Sequence, residues 1–250
     1  MSDLLQACRE DVVARQLRAA QLLDRYGVYG HFYQLSWNGA ELPCRSLLEL
    51  VAHDCVPSHP NALLQRQADV VAVMMNPGSS RPLGTRHAPP QVVGKPPSLQ
   101  GYHLVPTRPD NTQYQIMRIM AARGWKHARI LNLSDLREPK SPLFLQKVAE
   151  INQGDAAGAL HSIFHPGRKE ELASLLGGVG QTPVIAGWGR HPSLLPLAIR
   201  CLDRLRGHAL LGVPVAGETR LFAHPSPMLQ RAKDAWLDAV LMQSTQLGAG

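Results

Sequence analysis

The alternation of hydrophobic and polar positions divides most of the chain into short apolar runs and longer amphipathic segments. Four runs have the length of β-strands, and they cover Asp69–Met75, Arg129–Leu133, Pro183–Ala186 and Arg220–Ala223. Apolar residues at helical spacing predict helices over Thr112–Arg123, Leu143–Ile151, Lys169–Leu176, Leu194–Leu205 and Leu229–Met242. Strands that alternate with helices favour right-handed crossovers. We therefore predict an α/β fold: a three-layer α/β/α sandwich around a central, mostly parallel four-stranded sheet.

The chain ahead of the first run has a different pattern. Leu4–Tyr26 has the spacing of an amphipathic helix that ends at Gly27. His31–Trp37 alternates like a strand and is followed by Asn38-Gly39, which is a strong hairpin signal. Arg45–His53 fits either a short helix or a strand.

We predict one domain over residues 1–250, with a core at 69–242 and an N-terminal helix-and-hairpin extension at 1–60. The longest irregular stretch is Ser79–Asn111. Its basic residues are Arg81, Arg86, His87, Lys95, His103 and Arg108. A loop of this length is usually functional or disordered. It fits a phosphate-binding channel and a surface loop equally well.

The composition indicates which kind of partner the protein binds and in which cellular compartment it is found. Lys and Arg number 26 against 19 Asp and Glu, which gives a net charge of +7 and favours a polyanion such as DNA. The four cysteines form no CxxC pair, so we expect no metal site and no cofactor. No signal peptide and no membrane-spanning run is evident, which favours a cytoplasmic protein that does not bind a membrane. The sequence gives no sign of an obligate protein partner.

Small and polar residues follow the predicted strands at the points where they end. The first strand ends at Asn76-Pro77-Gly78, followed by two serines. Open α/β sheets bind ligands outside the carboxyl ends of their strands. The alternative is a simple strand-to-loop junction.

Four motifs occur in a fixed order: MNPGSS at 75–80, ILNL at 130–133, GWGR at 187–190 and HPSPM at 224–228. This order resembles the uracil-DNA glycosylase superfamily, in particular its mismatch-specific thymine/uracil branch. The chain also looks like a bacterial family with the pattern NPS…NL…WG…HP. The resemblance implies a glycosylase fold and hydrolysis of an N-glycosidic bond in DNA.

By resemblance, Asn76 and His224 are the catalytic pair. Asn76 matches the residue that holds the attacking water, and His224 matches the residue that binds a carbonyl oxygen of the departing base. Asn132 matches the position that reads the edge of the base, beside Pro77 and Gly78. Relatives that are strict for uracil carry a bulky aromatic residue where this chain has Gly78, so the pocket should admit larger pyrimidines.

The same resemblance implies a DNA-binding surface. Met228 matches an apolar wedge that fills the hole left by a flipped base. The other predicted DNA contacts are Ser79, Ser80, Arg81, Arg86, Arg190, Ser226 and Arg231. The plainer alternatives are a turn-capping asparagine at 76, an ordinary histidine at 224, a structural asparagine at 132 and a core methionine at 228.

We therefore expect a monofunctional DNA glycosylase, because no lysine in these motifs could form a Schiff base. The expected substrate is a uracil-like or 5-modified pyrimidine. Glucosylated hydroxymethylcytosine of phage DNA is one possibility, as antiphage defence, and repair of uracil or mismatched thymine is the other. The alternative function is a non-catalytic DNA- or nucleotide-binding protein with the same fold. A phosphate-handling enzyme ranks last.

Overall fold

A computed structural model describes residues 10–84, 88–92, 99–153 and 158–248. Its longer strands are β1 (Tyr26–Trp37), β2 (Ala40–Ala52), β3 (Val70–Met74), β6 (Val105–Arg108), β7 (His127–Asn132), β8 (Val184–Gly187) and β11 (Glu218–Phe222). The shorter strands are β4 (Arg81–Pro82), β5 (Gln91–Val92), β9 (Leu210–Gly212) and β10 (Pro214–Val215).

The helices are α1 (residues 10–16), α2 (Ala19–Leu23), α3 (Asn111–Arg123), α4 (Ser141–Gln153), α5 (Lys169–Leu176), α6 (Leu195–Arg204) and α7 (Gln230–Thr245). The five helices predicted from α3 onward are all confirmed, with ends that differ by a few residues. Helix α3 shows why. Asp110 accepts hydrogen bonds from the backbone N–H groups of Thr112 and Gln113, and Gly124 ends the helix at φ 65°.

Within the described residues, one mixed sheet of nine strands has the order β4-β6-β1-β2-β7-β3-β8-β9, with β5 paired to β1. The strands β7, β3, β8 and β9 are adjacent and parallel. The prediction of a mostly parallel sheet of four strands is therefore wrong as a description of the whole sheet. The β1–β2 hairpin extends the sheet because β2 pairs with β7 in antiparallel register, from Leu48 opposite Ile130 to Val51 opposite His127.

The fourth predicted strand is present but belongs elsewhere. Residues Arg220–Ala223 fall mostly in β11, which pairs with β10 in a separate two-stranded sheet. The edge of the main sheet is β9 instead, parallel to β8. A strand of three residues is too short to leave a readable pattern, which explains why β9 was missed.

The predicted helix Leu4–Tyr26 is wrong in its described part. It breaks between α1 and α2, and Tyr26 already begins β1. The glycines of this region serve a strand: a Cβ at Gly30 would lie 2.9 Å from Oγ1 of Thr107 on β6 and 3.0 Å from Cδ1 of Leu48. The predicted hairpin is confirmed, with positive φ at Asn38 and Gly39, and Arg45–His53 belongs mostly to a strand.

The irregular stretch Ser79–Asn111 contains structure that the sequence did not reveal. Strands β4, β5 and β6 fall within it, and β6 pairs with β1. They are two to four residues long, and proline occupies one position in β4 and one in β6. Runs this short carry no periodicity.

Two hydrophobic cores cover the two faces of the sheet. Helices α4, α5 and α6 pack on one face, through residues such as Phe144, Leu172 and Cys201. Helices α3 and α7 pack on the other, through residues such as Ile116 and Trp236. We call these the α4–α6 face and the α3/α7 face. Because helices cover both faces, the described chain is an α/β structure with its parallel strands buried.

Candidate functional site

The connections between the parallel strands run to opposite sides of the sheet on either side of the boundary between β3 and β8. From β3 the chain crosses to β7 on one side, and from β8 it crosses to β9 on the other side. Such a switch point leaves a crevice outside the carboxyl ends of the two strands, where open α/β sheets bind ligands. Met75-Asn76 leaves β3 here and Trp188-Gly189 leaves β8.

The side chain of Asn76 is held by two backbone carbonyl groups. Its Nδ2 donates to the carbonyl oxygen of Leu136 at 3.2 Å and to that of Glu138 at 2.7 Å. Both N–H bonds of the amide are thus used, so the orientation of the group is fixed. Its Oδ1 has no hydrogen bond to the described residues and remains an acceptor. The bonds reach residues far along the chain, so Asn76 does more than cap its own turn.

Gly78 leaves open space next to Asn76. Its φ is +58°, and a Cβ there would find no heavy atom within 4 Å. Pro77 is buried, and its carbonyl oxygen accepts from the N–H of Ser80 at 3.1 Å, which closes the turn. A side chain at 78 would be strained by the positive φ. The position that a side chain at 78 would occupy is therefore open among the described residues.

The HPSP loop, which we define as residues 224–227, lies against the ends of β8 and β3. A Cβ at Gly187 would lie 2.8 Å from Cδ of Pro225 and 3.1 Å from Sδ of Met74. Gln115 of α3 secures the loop, because its Nε2 donates to the carbonyl oxygens of Pro225 and Lys233. Because β8 is adjacent to β3, the HPSP loop, which begins at His224, lies at the same edge of the sheet as Asn76.

The imidazole of His224 has a defined tautomer when neutral. The N–H of Ser226 donates to its Nδ1 at 3.1 Å, so the ring proton is on Nε2. Burial lowers the pKa of His224, so the ring is neutral at pH 7. The group can donate one hydrogen bond from Nε2 to an oxygen atom placed in the crevice.

Asn132 ends β7 beside Met74 of β3. Its side chain is 0 % exposed, and neither Oδ1 nor Nδ2 has a partner among the described residues. An unpaired buried amide costs free energy, on the order of 1–3 kcal/mol. A ligand with a donor next to an acceptor would satisfy it.

A groove of about 630 Å³ runs along the outer side of the HPSP loop. It brings together three of the predicted residues: Arg190, His224 and Met228. Met228 is 99 % exposed, so the alternative of a core methionine is wrong. Trp236 and Leu229 add apolar surface to the groove.

The other predicted DNA contacts are more dispersed. Ser79, Arg81 and Arg231 are exposed, and Ser226 is half-buried. Ser80 is buried, and its Oγ has no partner among the described residues, so this hydroxyl does not reach the surface. Arg86, like His87 and Lys95 of the same stretch, lies outside the described residues.

Sequence reasoning missed Arg45, Ser46 and Asp110. Arg45 and Ser46 lie at a bulge of β2 and are buried. Asp110 caps α3, and its charge also acts on both Arg45 and His224. No periodic signal marks these residues, because a bulge interrupts the alternation that identifies a strand.

Two negative findings apply to the part of the chain that the structure describes. No group of three or more His, Cys, Asp or Glu residues there could hold a metal ion. No helix there is long and apolar enough to cross a membrane.

Comparison of the chain with protein-family models, with curated proteins and with solved structures gave no match. The assignment of a function therefore rests on the geometry of the site.

Proposed function

We propose that this protein is a monofunctional DNA glycosylase that hydrolyses the N-glycosidic bond of a flipped uracil-like or 5-modified pyrimidine. The observation that carries the proposal is the amide of Asn76, whose two N–H bonds are donated to carbonyl groups while Oδ1 remains available. A water molecule that donates a hydrogen to Oδ1 keeps its lone pairs for attack on C1′ of the sugar. An amide orients this water but does not deprotonate it at neutral pH.

His224, whose loop lies at the same edge of the sheet, supports the same reaction. When the glycosidic bond breaks, negative charge develops on the carbonyl oxygens of the base. A neutral imidazole with its proton on Nε2 donates a hydrogen bond to such an oxygen and stabilises that charge. The groove that contains His224 and the exposed Met228 gives room for the displaced DNA strand.

Asn132 and Gly78 support the class of base. The unpaired amide of Asn132 offers one donor and one acceptor, which matches the edge of uracil or, with the amide reversed, of cytosine. The empty space at Gly78 admits a substituent on carbon 5 of the ring. Glucosylated hydroxymethylcytosine of phage DNA falls within this class, as does thymine in a mismatch.

The test is a set of DNA duplexes that carry uracil, mismatched thymine, hydroxymethylcytosine or its glucosylated form. Alkali cleavage after incubation reports abasic sites. We expect the wild type to release at least one of these bases. Asn76→Ala should lower the single-turnover rate by at least about 100-fold, because the water loses its position. DNA binding should be retained.

Asn152→Ala is the matched control, since Asn152 is an exposed asparagine on α4. It should leave the rate unchanged. Absence of abasic sites with every duplex, together with intact DNA binding, would favour the non-catalytic DNA-binding alternative. An Asn76→Ala variant as active as wild type would remove Asn76 from the mechanism.

A further inference from the structure

A buried arginine has two side-chain nitrogen atoms without hydrogen-bond partners among the described residues. Arg45 is 1 % exposed, and its Nε and Nη1 have no partner among the described residues. Burial lowers the pKa of Arg45 to about 10, and attraction to Asp110 and Asp135 opposes this shift, so the side chain is still a cation at pH 7. Burying such a group unpaired is costly to folding, so a ligand that pairs with it is a natural explanation.

The bulge in β2 determines which face of the sheet Arg45 occupies. Cys44 and Leu47 both belong to the core of the α4–α6 face. The register against β1 shifts between these positions, so two consecutive residues, Arg45 and Ser46, are accommodated between them. A bulge of this kind places both residues on the opposite face. That face is the α3/α7 face, to which Leu48 belongs.

Asn132 shares the face. It pairs with Met74 of β3, a member of the α3/α7 core, and directly paired strand residues point to the same side of a sheet. The Oγ of Ser46 and both polar atoms of Asn132 are buried without partners among the described residues, as are Nε and Nη1 of Arg45. Two adjacent strands, β2 and β7, therefore bring unsatisfied donors and acceptors to one region.

One backbone contact and one electrostatic interaction connect this region with the catalytic pair. Cys44, next to Arg45, forms an isolated antiparallel β-bridge with Leu136. The carbonyl oxygen of Leu136 accepts a hydrogen bond from Nδ2 of Asn76. The carboxylate of Asp110 favours the protonated form of both Arg45 and His224, so it lies within electrostatic range of each. Arg45 is therefore linked through one neighbour to Asn76 and through another to His224.

We propose that Arg45 is a catalytic residue that donates hydrogen bonds to a carbonyl oxygen of the flipped pyrimidine and stabilises it as an anionic leaving group. This inference rests on the proposed function. The C1′–N1 bond breaks with its electron pair on the base, and the water oxygen bonds to C1′. The water loses one proton to solvent, and the released base anion later takes up one proton at N1.

The test compares two leaving groups. Fluorine at carbon 5 stabilises the pyrimidine anion, so 5-fluorouracil depends less than uracil on help from the protein. Single-turnover rates are measured for both bases in one DNA sequence, with wild type, Arg45→Met and Arg45→Lys. Arg45→Met should lower the rate for uracil by roughly 100-fold or more, as expected when a donor to a developing anion is removed, and the rate for 5-fluorouracil much less. Arg45→Lys should restore part of the loss.

Arg200→Met is the matched control. Arg200 also has an unpaired buried atom, Nη1, but it belongs to α6 on the other face of the sheet. This variant should keep both rates. Arg45→Met should melt at the same temperature as wild type or higher, because it removes an unpaired buried charge. A loss of rate is then not a loss of folding.

If Arg45→Met loses the same fraction of its single-turnover rate for both bases, or loses none, the role of Arg45 is overturned while the proposed function stands. A melting temperature of Arg45→Met several degrees below wild type means that Arg45 has a structural partner, and also overturns it. A wild type that releases neither base overturns the inference for uracil-like bases. Activity on other duplexes would then preserve the proposed function, whereas inactivity on all would end both.

Discussion

Asn76 and Asn132 have the same side chain, and the protein uses it in opposite ways. Asn76 donates both N–H bonds to backbone carbonyl groups, whereas neither polar atom of Asn132 has a partner among the described residues. The first arrangement fixes one acceptor for a small ligand such as water. The second leaves a complete donor–acceptor pair for a ligand with a matching edge.

His161 gives a prediction about stability and pH. It is fully buried, and burial lowers its pKa to about 3, with further lowering by Arg200 and Arg168. The folded state keeps His161 neutral down to that pH, whereas the unfolded chain protonates near pH 6.5. Between these values the unfolded state binds more protons, so stability falls as the pH falls.

We expect the free energy of unfolding of wild type to drop by about 1.4 kcal/mol per pH unit more than that of His161→Gln between pH 6 and 4.5. Urea unfolding at several pH values measures this difference. His59→Gln, at an exposed histidine, should keep the wild-type slope. If wild type and His161→Gln show parallel curves, His161 is not buried in its neutral form.

At the scale of single residues, the sequence reveals a turn at the end of a strand better than a break inside one. Asn76, Gly78 and His224 stand out because a turn or loop of small and polar residues comes after an apolar run. Arg45 and Ser46 do not, since a bulge breaks the period of two on which strand prediction depends. The hydrogen bond between Asn76 and Leu136 joins distant parts of the chain, so no local pattern encodes it.

Among the elements, the contact of β8 with the HPSP loop depends on a missing side chain. Gly187→Ala would place a Cβ 2.8 Å from Cδ of Pro225, and a proline ring cannot rotate away. We expect a loss of about 1–3 kcal/mol in the free energy of unfolding, as is usual for overpacking. The loop should shift, and with it His224.

We expect excision by Gly187→Ala to fall by at least about 10-fold, because a displaced donor stabilises the leaving base poorly. Unfolding curves and single-turnover rates measure the two effects. Gly101→Ala is the control, since a Cβ at Gly101 meets nothing within 4 Å. Full activity in a stable Gly187→Ala protein would show that the contact does not position His224.

The capped and amphipathic helices were predictable, and the shortest strands were not. Helix α3 has a cap at each end and a long apolar stripe, and α5 was predicted at its observed bounds. Strands of two or three residues such as β4, β5 and β9 were missed. The pairing of β11 with β10 rather than with the main sheet was also invisible, because strand length and hydrophobicity do not encode the partner.

For the molecule as a whole, the positive net charge predicts how the proposed binding of DNA responds to salt concentration. Arg190 and Arg231 are exposed near the HPSP loop, and the chain has a net charge of +7. Each arginine that contacts a phosphate releases counterions from DNA. Arg190→Gln and Arg231→Gln should each reduce the slope of log affinity against log salt concentration by about 0.9.

Fluorescence anisotropy with a DNA duplex over a salt series gives this slope. Arg206→Gln is the control, because Arg206 lies just beyond the far end of α6, is exposed and is paired with Asp203. The slope of that variant should match wild type. Unchanged slopes for Arg190→Gln and Arg231→Gln would mean that DNA binds another surface of the protein.

Gln115 holds the HPSP loop in place through a bond to Pro225 and another to Lys233, both contributed by the last part of the chain. During synthesis, the segments with Asn76 and Asn132 leave the ribosome well before those with His224 and α7. A chain that stops before the loop lacks α7, which covers part of the α3/α7 face, and has no histidine at this edge of the sheet. Under the proposed function, a chain cut short ahead of the HPSP loop should therefore release no base, because it lacks both His224 and the loop that Gln115 holds.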